Sequence, residues 1–148
     1  MNLPVYVSVE EVQRVCRELG LRDWTQLSEP VVLLEEAARI RAEVGGEALL
    51  ISEGEFHKGL EVELEHGIHF FDTNVTNNHP ILTGRIVVAH LKESLDYYLR
   101  LEVAELEGDL LKAVAAGDGD KVVRKYRSLA AARQQLAEKE TKAMKGDE

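Results

Sequence analysis

Apolar side chains recur along this chain mainly at three- and four-residue intervals, the spacing that gathers them on one face of an α-helix. Val9, Val12, Cys16 and Leu19 form the first such face. Ser8 and Glu11 have capping-box spacing and Gly20 supplies a left-handed stop, so a helix is predicted between them. Asp23-Trp24 follows in a turn, with Trp24 read as a core plug. A second helix is predicted over 30–44, opened by Pro30 at its first position and stopped by Gly45-Gly46. The apolar run 48–51 fits a helical turn or a brief strand equally well. Ser52 and Glu55 are another capping-box pair, leading into Phe56, Leu60 and Leu64 on one face, with Gly67 as the predicted end. Residues 68–79 carry Asp72, Asn74, Asn77 and Asn78 and read as a loop.

Pro80 restarts a helix that runs, by its pattern, without interruption to about Val114 and forms the centre of the molecule. Residues 115–120 are a hinge or tight turn. A last helix is predicted from about Asp118 to Met144, with Val122, Tyr126, Leu129 and Leu136 on one face and fraying at its end. Arg133 interrupts that face, which weakens a coiled-coil reading. Together these elements predict an all-α fold of about five helices in a compact orthogonal or bundle-like array, with residues 53–107 as a central helical hairpin. Residues 1–114 are read as the helical core domain and 115–148 as a basic C-terminal helix and tail.

Composition changes this picture little. With 45% hydrophobic and 30% charged residues in 148, the chain has the balance of an ordinary globular domain. No apolar run approaches the roughly 18–20 residues a bilayer span needs, so no membrane association is expected. The N-terminus lacks the basic and long apolar regions of a secretory leader, which predicts a cytoplasmic location. Cys16 is the single cysteine, ruling out an intrachain disulfide and a cysteine-rich zinc site. Asn74-Val75-Thr76 matches a glycosylation sequon, a coincidence in a chain without a leader.

Charge adds more. The net charge is −9, which argues against nucleic-acid binding, yet it is unevenly spread. Residues 1–120 hold 10 Lys/Arg against 23 Asp/Glu, while residues 121–145 hold 8 against 2. A basic helix behind an acidic body could dock on its own or a neighbour's acidic surface. That motivates one functional reading, a non-catalytic homo-oligomeric interaction module.

The other reading comes from histidine. All five (His57, His66, His69, His79 and His90) lie within one third of the chain. Glu63 and His66 are three apart on one predicted helix, and His90 and Glu93 three apart on the next, so each pair shares a helical face. If the two helices were antiparallel, two imidazoles and two carboxylates could converge on one divalent transition metal: zinc, iron, manganese or nickel. Glu-x-x-His is also the ligand spacing of di-iron bundles, but here one motif is reversed, which favours a mononuclear or intersubunit site. The same residues have a structural reading: His66 against a helix C-terminus and paired with Glu63, and His90 as a core histidine. No phosphate loop, dinucleotide fingerprint or nucleophile with a dedicated base is present, so no catalytic residue is assigned.

Several strings in this region carry a resemblance. They are Val62-Glu63-Leu64-Glu65-His66-Gly67, Thr73-Asn74-Val75-Thr76-Asn77, Thr83-Gly84, Ala89-His90-Leu91-Lys92-Glu93, and Asp96-Tyr97-Tyr98 with Arg100-Leu101. With Glu18-Leu19-Gly20-Leu21 and Asp23-Trp24, the chain resembles an uncharacterised prokaryotic and phage family of small proteins, a domain of unknown function. The resemblance covers about 10–27 and 55–102. An apparent insertion near 28–52 and a longer basic C-terminal helix set this chain apart. It implies no activity, and implies only that Glu63, His66, His90 and Glu93 fall inside the family's signature.

Overall fold

The structure is a computed structural model that describes residues 7–146. The predicted absence of a leader rests partly on residues 1–6, and the fraying of the chain end on 147–148, both outside the described residues. The described residues form six α-helices and short 3₁₀ turns, with no strand among them. The chain divides into two compact units, Met1–Glu93 and Ser94–Glu148.

In the first unit, α1 (Val9–Leu19) is capped as its sequence dictates. Ser8 Oγ accepts the Glu11 N–H at 3.2 Å, and Gly20, at φ +64°, turns its N–H onto Arg17 O. Such an N-cap contributes about 1 kcal/mol. Val12, Val15 and Cys16 are buried, and burial pushes the Cys16 thiol pKa up, away from reactivity. Trp24 is fully buried at the head of a 3₁₀ turn capped by Asp23.

The helix predicted from Pro30 begins instead at Leu34, giving α2 (Leu34–Val44). Residues 30–33 stay outside the helix, and side chains of α3 (Glu53–His69) bind the backbone at Val32. The Val32 N–H donates to Glu61 Oε1 at 3.1 Å, and His57 Nε2 donates to Val32 O at 2.7 Å. Glu36 is 2% exposed, and its carboxylate accepts from the Arg22 N–H and guanidinium and from the Leu33 N–H. Burial pushes its pKa up, but these donors outweigh burial and hold it below the usual carboxylate value. This buried anion ties the α1–α2 connection to the start of α2.

The run 48–51 resolves as a 3₁₀ turn, Gly46–Leu50, whose carbonyls accept from Arg41. Helices α2, α3 and α4 (Pro80–Glu93) pack on one another around Ile40, Phe56, Leu60, Leu64 and Val87, all fully buried. Full burial of each such side chain contributes about 1.5–3 kcal/mol. Gly84 permits the approach: a Cβ there would meet Val44 Cγ2 at 2.9 Å and Ile40 Cγ2 at 3.0 Å.

The long helix predicted from Pro80 is two helices. Ser94–Asp96 break it, with Ser94 Oγ bonded to Asp96 and the Tyr97 N–H turned onto Ser94 O at 3.1 Å. Short Ser and Asp side chains that bond locally compete with the helical ladder. The hairpin expected over 53–107 is therefore formed by α3 and α4 alone.

The second unit is a helical hairpin of α5 (Tyr97–Ala115) and α6 (Gly119–Lys145). Gly117, at φ +68°, makes the turn, and Asp118 caps α6 through the Lys121 N–H. Leu99, Val103, Leu106, Leu110 and Ala113 on α5 alternate by four and three. Val122, Lys125, Leu129, Ala132 and Leu136 do so on α6; all ten are buried or half-buried. This is an antiparallel heptad seam. It corrects the sequence reading twice: Ala132, not Arg133, occupies the seam, and Tyr126 lies outside it at 61% exposure. Arg133 flanks the seam and pairs with Glu107 at 2.6 Å; Lys125–Asp109 and Arg100–Glu140, each at 2.7 Å, also cross between the helices. The Arg100 guanidinium also holds Asp96 below the usual carboxylate pKa. Part of the charge contrast between helix 121–145 and the rest of the chain is thus neutralised within the hairpin.

Candidate ligand site on the α3–α4 hairpin

Helices α3 and α4 pack on one another, and one polar pair joins them. His90 Nδ1 lies 2.9 Å from Glu63 Oε1, with the Glu63 side chain 13% and the His90 side chain 31% exposed. His66 lies about one turn from Glu63 along α3, and Glu93 about one turn from His90 at the end of α4. Among the described residues, no three His, Cys, Asp or Glu side chains are grouped to hold a metal ion.

Of the four predicted ligands, the structure brings together Glu63 and His90, and places His66 beside Glu63 on the wall of a cleft. This cleft, of about 300 Å³, is lined by Glu63, His66, Phe70, Asn74, Thr76 and Ile86, among others. His66 stacks on Phe70, with ring centroids 6.3 Å apart. Glu93 is exposed at the end of α4 and takes no part in the cleft.

The far wall is an asparagine knot, where the sequence pattern by itself indicates only turn chemistry. Asn74 Nδ2 donates to Gly67 O at 3.0 Å and to Asn78 Oδ1 at 2.8 Å, and Thr76 Oγ1 donates to Asn74 Oδ1 at 3.2 Å. Asn77 and Asn78 sit at φ +48° and +59°, a left-handed region that asparagine tolerates better than most residues. Asn77 Nδ2 reaches Val7 O at 2.6 Å, tying the knot to the segment before α1. Gly67 does not end α3, which continues to His69. It is glycine because the knot leaves no room: a Cβ there would stand 1.9 Å from Asn78 Oδ1.

The remaining histidines are structural by geometry. His57 secures Val32, as above. His79 Nδ1 faces the Ile81 and Leu82 N–H groups at 3.2 and 3.4 Å, capping α4, and burial lowers its pKa. His69 stands 3.5 Å from Glu65, exposed.

Residues 12–107 match a family model described as a protein of unknown function, DUF5661. The chain belongs to the DUF5661 family. The matched DUF5661 span contains the whole α3–α4 hairpin, its cleft and the asparagine knot, and ends within α5. It also includes residues 28–52, the segment the resemblance set apart as an insertion. Here that segment supplies α2, with Ala37 and Ile40 in the core. No curated protein and no solved structure matches this DUF5661 chain. Among the described residues, no helix is long and apolar enough to cross a membrane.

Proposed function

We propose that the DUF5661 unit of this chain is a ligand-binding module, and that its cleft takes one divalent transition-metal ion through Glu63 and His66, with solvent completing the coordination. The supporting observation is that these two donors share one cleft wall while His90 grips the Glu63 carboxylate from α4. One imidazole and one carboxylate suit zinc, iron, manganese or nickel. A partner behind the ligating carboxylate fixes its orientation, and loss of such a partner lowers metal affinity about 10–100-fold. Glu93, a predicted ligand, has no part in this arrangement.

The test is calorimetric titration of zinc and manganese into untagged protein, with elemental analysis of the product. One ion per chain is expected for the wild type. Glu63→Ala and His66→Ala should each abolish it, His90→Ala should weaken it at least tenfold, and Glu93→Ala should leave it unchanged. Absence of saturable binding, or binding indifferent to the Glu63→Ala/His66→Ala double variant, would overturn the reading.

A further inference from the structure

We propose that the solvent-facing side of the α5–α6 hairpin is the contact surface for a second copy of this chain, which completes a four-helix bundle. Arg100 pairs with Glu140 and, seven residues further along α5, Glu107 pairs with Arg133, so each step of seven along α5 matches a step of seven back along α6. The next step brings Val114 opposite Tyr126, where a third ion pair would fall. Both are apolar-bodied and exposed, at 57% and 61%. One helical turn away on the same side, Leu111 and Val123 are 69% and 50% exposed.

These four residues belong to a second seam. On α6, the heptad series displaced by one residue from the seam that packs on α5 (123, 126, 130, 133, 137, 140 and 144) reads Val, Tyr, Ala, Arg, Ala, Glu and Met. Its two charged members are the ones paired to α5, and its five apolar-bodied members are exposed. On α5, Ala104, Leu111 and Val114 continue it. A helix with two adjacent apolar seams is built to pack on two sides, as in a four-helix bundle. A lone hairpin fills only one of them.

Charge selects the occupant. Helix α5 carries four acidic and two basic residues, and α6 carries eight basic and three acidic ones. A two-fold axis along the hairpin would lay α5 of one copy on α6 of the other, matching acidic to basic and superposing the two apolar patches. Such a contact is isologous and closes on itself. The four large side chains expose roughly 400 Å² per chain, the size of the largest apolar patch on a typical monomer, which is often functional. About 800 Å² per partner makes a standard interface. Ala130, Ala137, Met144 and the stems of Lys112 and Arg124 would supply the remainder.

Light scattering and sedimentation of the full chain across a concentration series test this. The wild type should show twice the 16.6 kDa chain mass. Tyr126→Glu should return it to a monomer with unchanged far-ultraviolet helicity, while Leu50→Glu, on an exposed residue of the first unit, should leave the dimer intact. Val114→Cys, which lies on the groove beside the axis, should cross-link between chains on mild oxidation. A wild type that stays monomeric throughout, or a dimer unaffected by Tyr126→Glu, overturns the proposal.

Discussion

Residue 67 shows how a single missing side chain can hold a wall of the cleft in place. Gly67 lies inside α3, where glycine costs helix stability, and its backbone carbonyl receives Asn74. An added methyl would overlap Asn78 Oδ1 and press on Asn74 Nδ2. Gly67→Ala should therefore destabilise the protein by about 2–3 kcal/mol, the cost of overpacking plus disturbed hydrogen bonds. A urea titration reads this directly, and an unchanged midpoint would show that the knot adjusts freely. In the sequence, a glycine late in a helical pattern looks like a stop, which puts the expected end of α3 at Gly67. Its reason for being glycine is tertiary, and periodicity carries no information about that. Glu36, Glu61 and His57 escaped for a similar cause. Apolar spacing identifies which face of a helix is buried, but not which polar residue on its margin meets an unsatisfied backbone group.

Among the elements, those with local signals in the chain were legible. Ser8 and Ser52 cap helices where their spacing said they would, Gly20 ends α1, and the last helix begins beside Asp118 as expected. The break at Ser94–Asp96 was hidden because apolar residues continue on both sides of it, so the pattern reads as one helix. The order of donors in the two hairpin motifs was legible as well. What spacing alone could not supply was how the two helices meet, which joins Glu63 to His90 and leaves Glu93 out of the cleft lining. In the α5–α6 hairpin the register rests partly on ion pairs that can be exchanged. Glu107→Arg alone should cost about 0.5 kcal/mol or more, since it sets like charges face to face across an exposed seam margin. Adding Arg133→Glu should recover most of that loss. If thermal melting shows the double variant no better than the single ones, the pair does not contribute to the hairpin.

For the molecule as a whole, stability should depend on pH in two stages. His79 caps α4 through a neutral ring nitrogen, among the charges of Glu11, Arg14 and Arg85, and burial lowers its pKa from the ordinary 6.5. A depressed histidine favours the folded state fully above 6.5, and this contribution is lost as pH falls from there towards the folded value. Glu36 is also depressed, from 4.5, so its contribution holds above 4.5 and is lost as pH falls through its folded value. Urea midpoints measured against pH should be level above neutrality, decline below 6.5, and decline again below 4.5. His79→Ala should remove the first decline and leave the second; a profile with no decline between 6.5 and 4.5 would count against the histidine cap. The charge of the first unit has a separate, kinetic consequence. Residues 1–93 hold 16 Asp/Glu and 8 Lys/Arg, and the cleft opens within that negative field. Such a field draws cations inward and fades as salt shortens its range. At the proposed metal site, ionic strength would then govern how fast an ion arrives, and Glu63 and His66 would govern how long it stays.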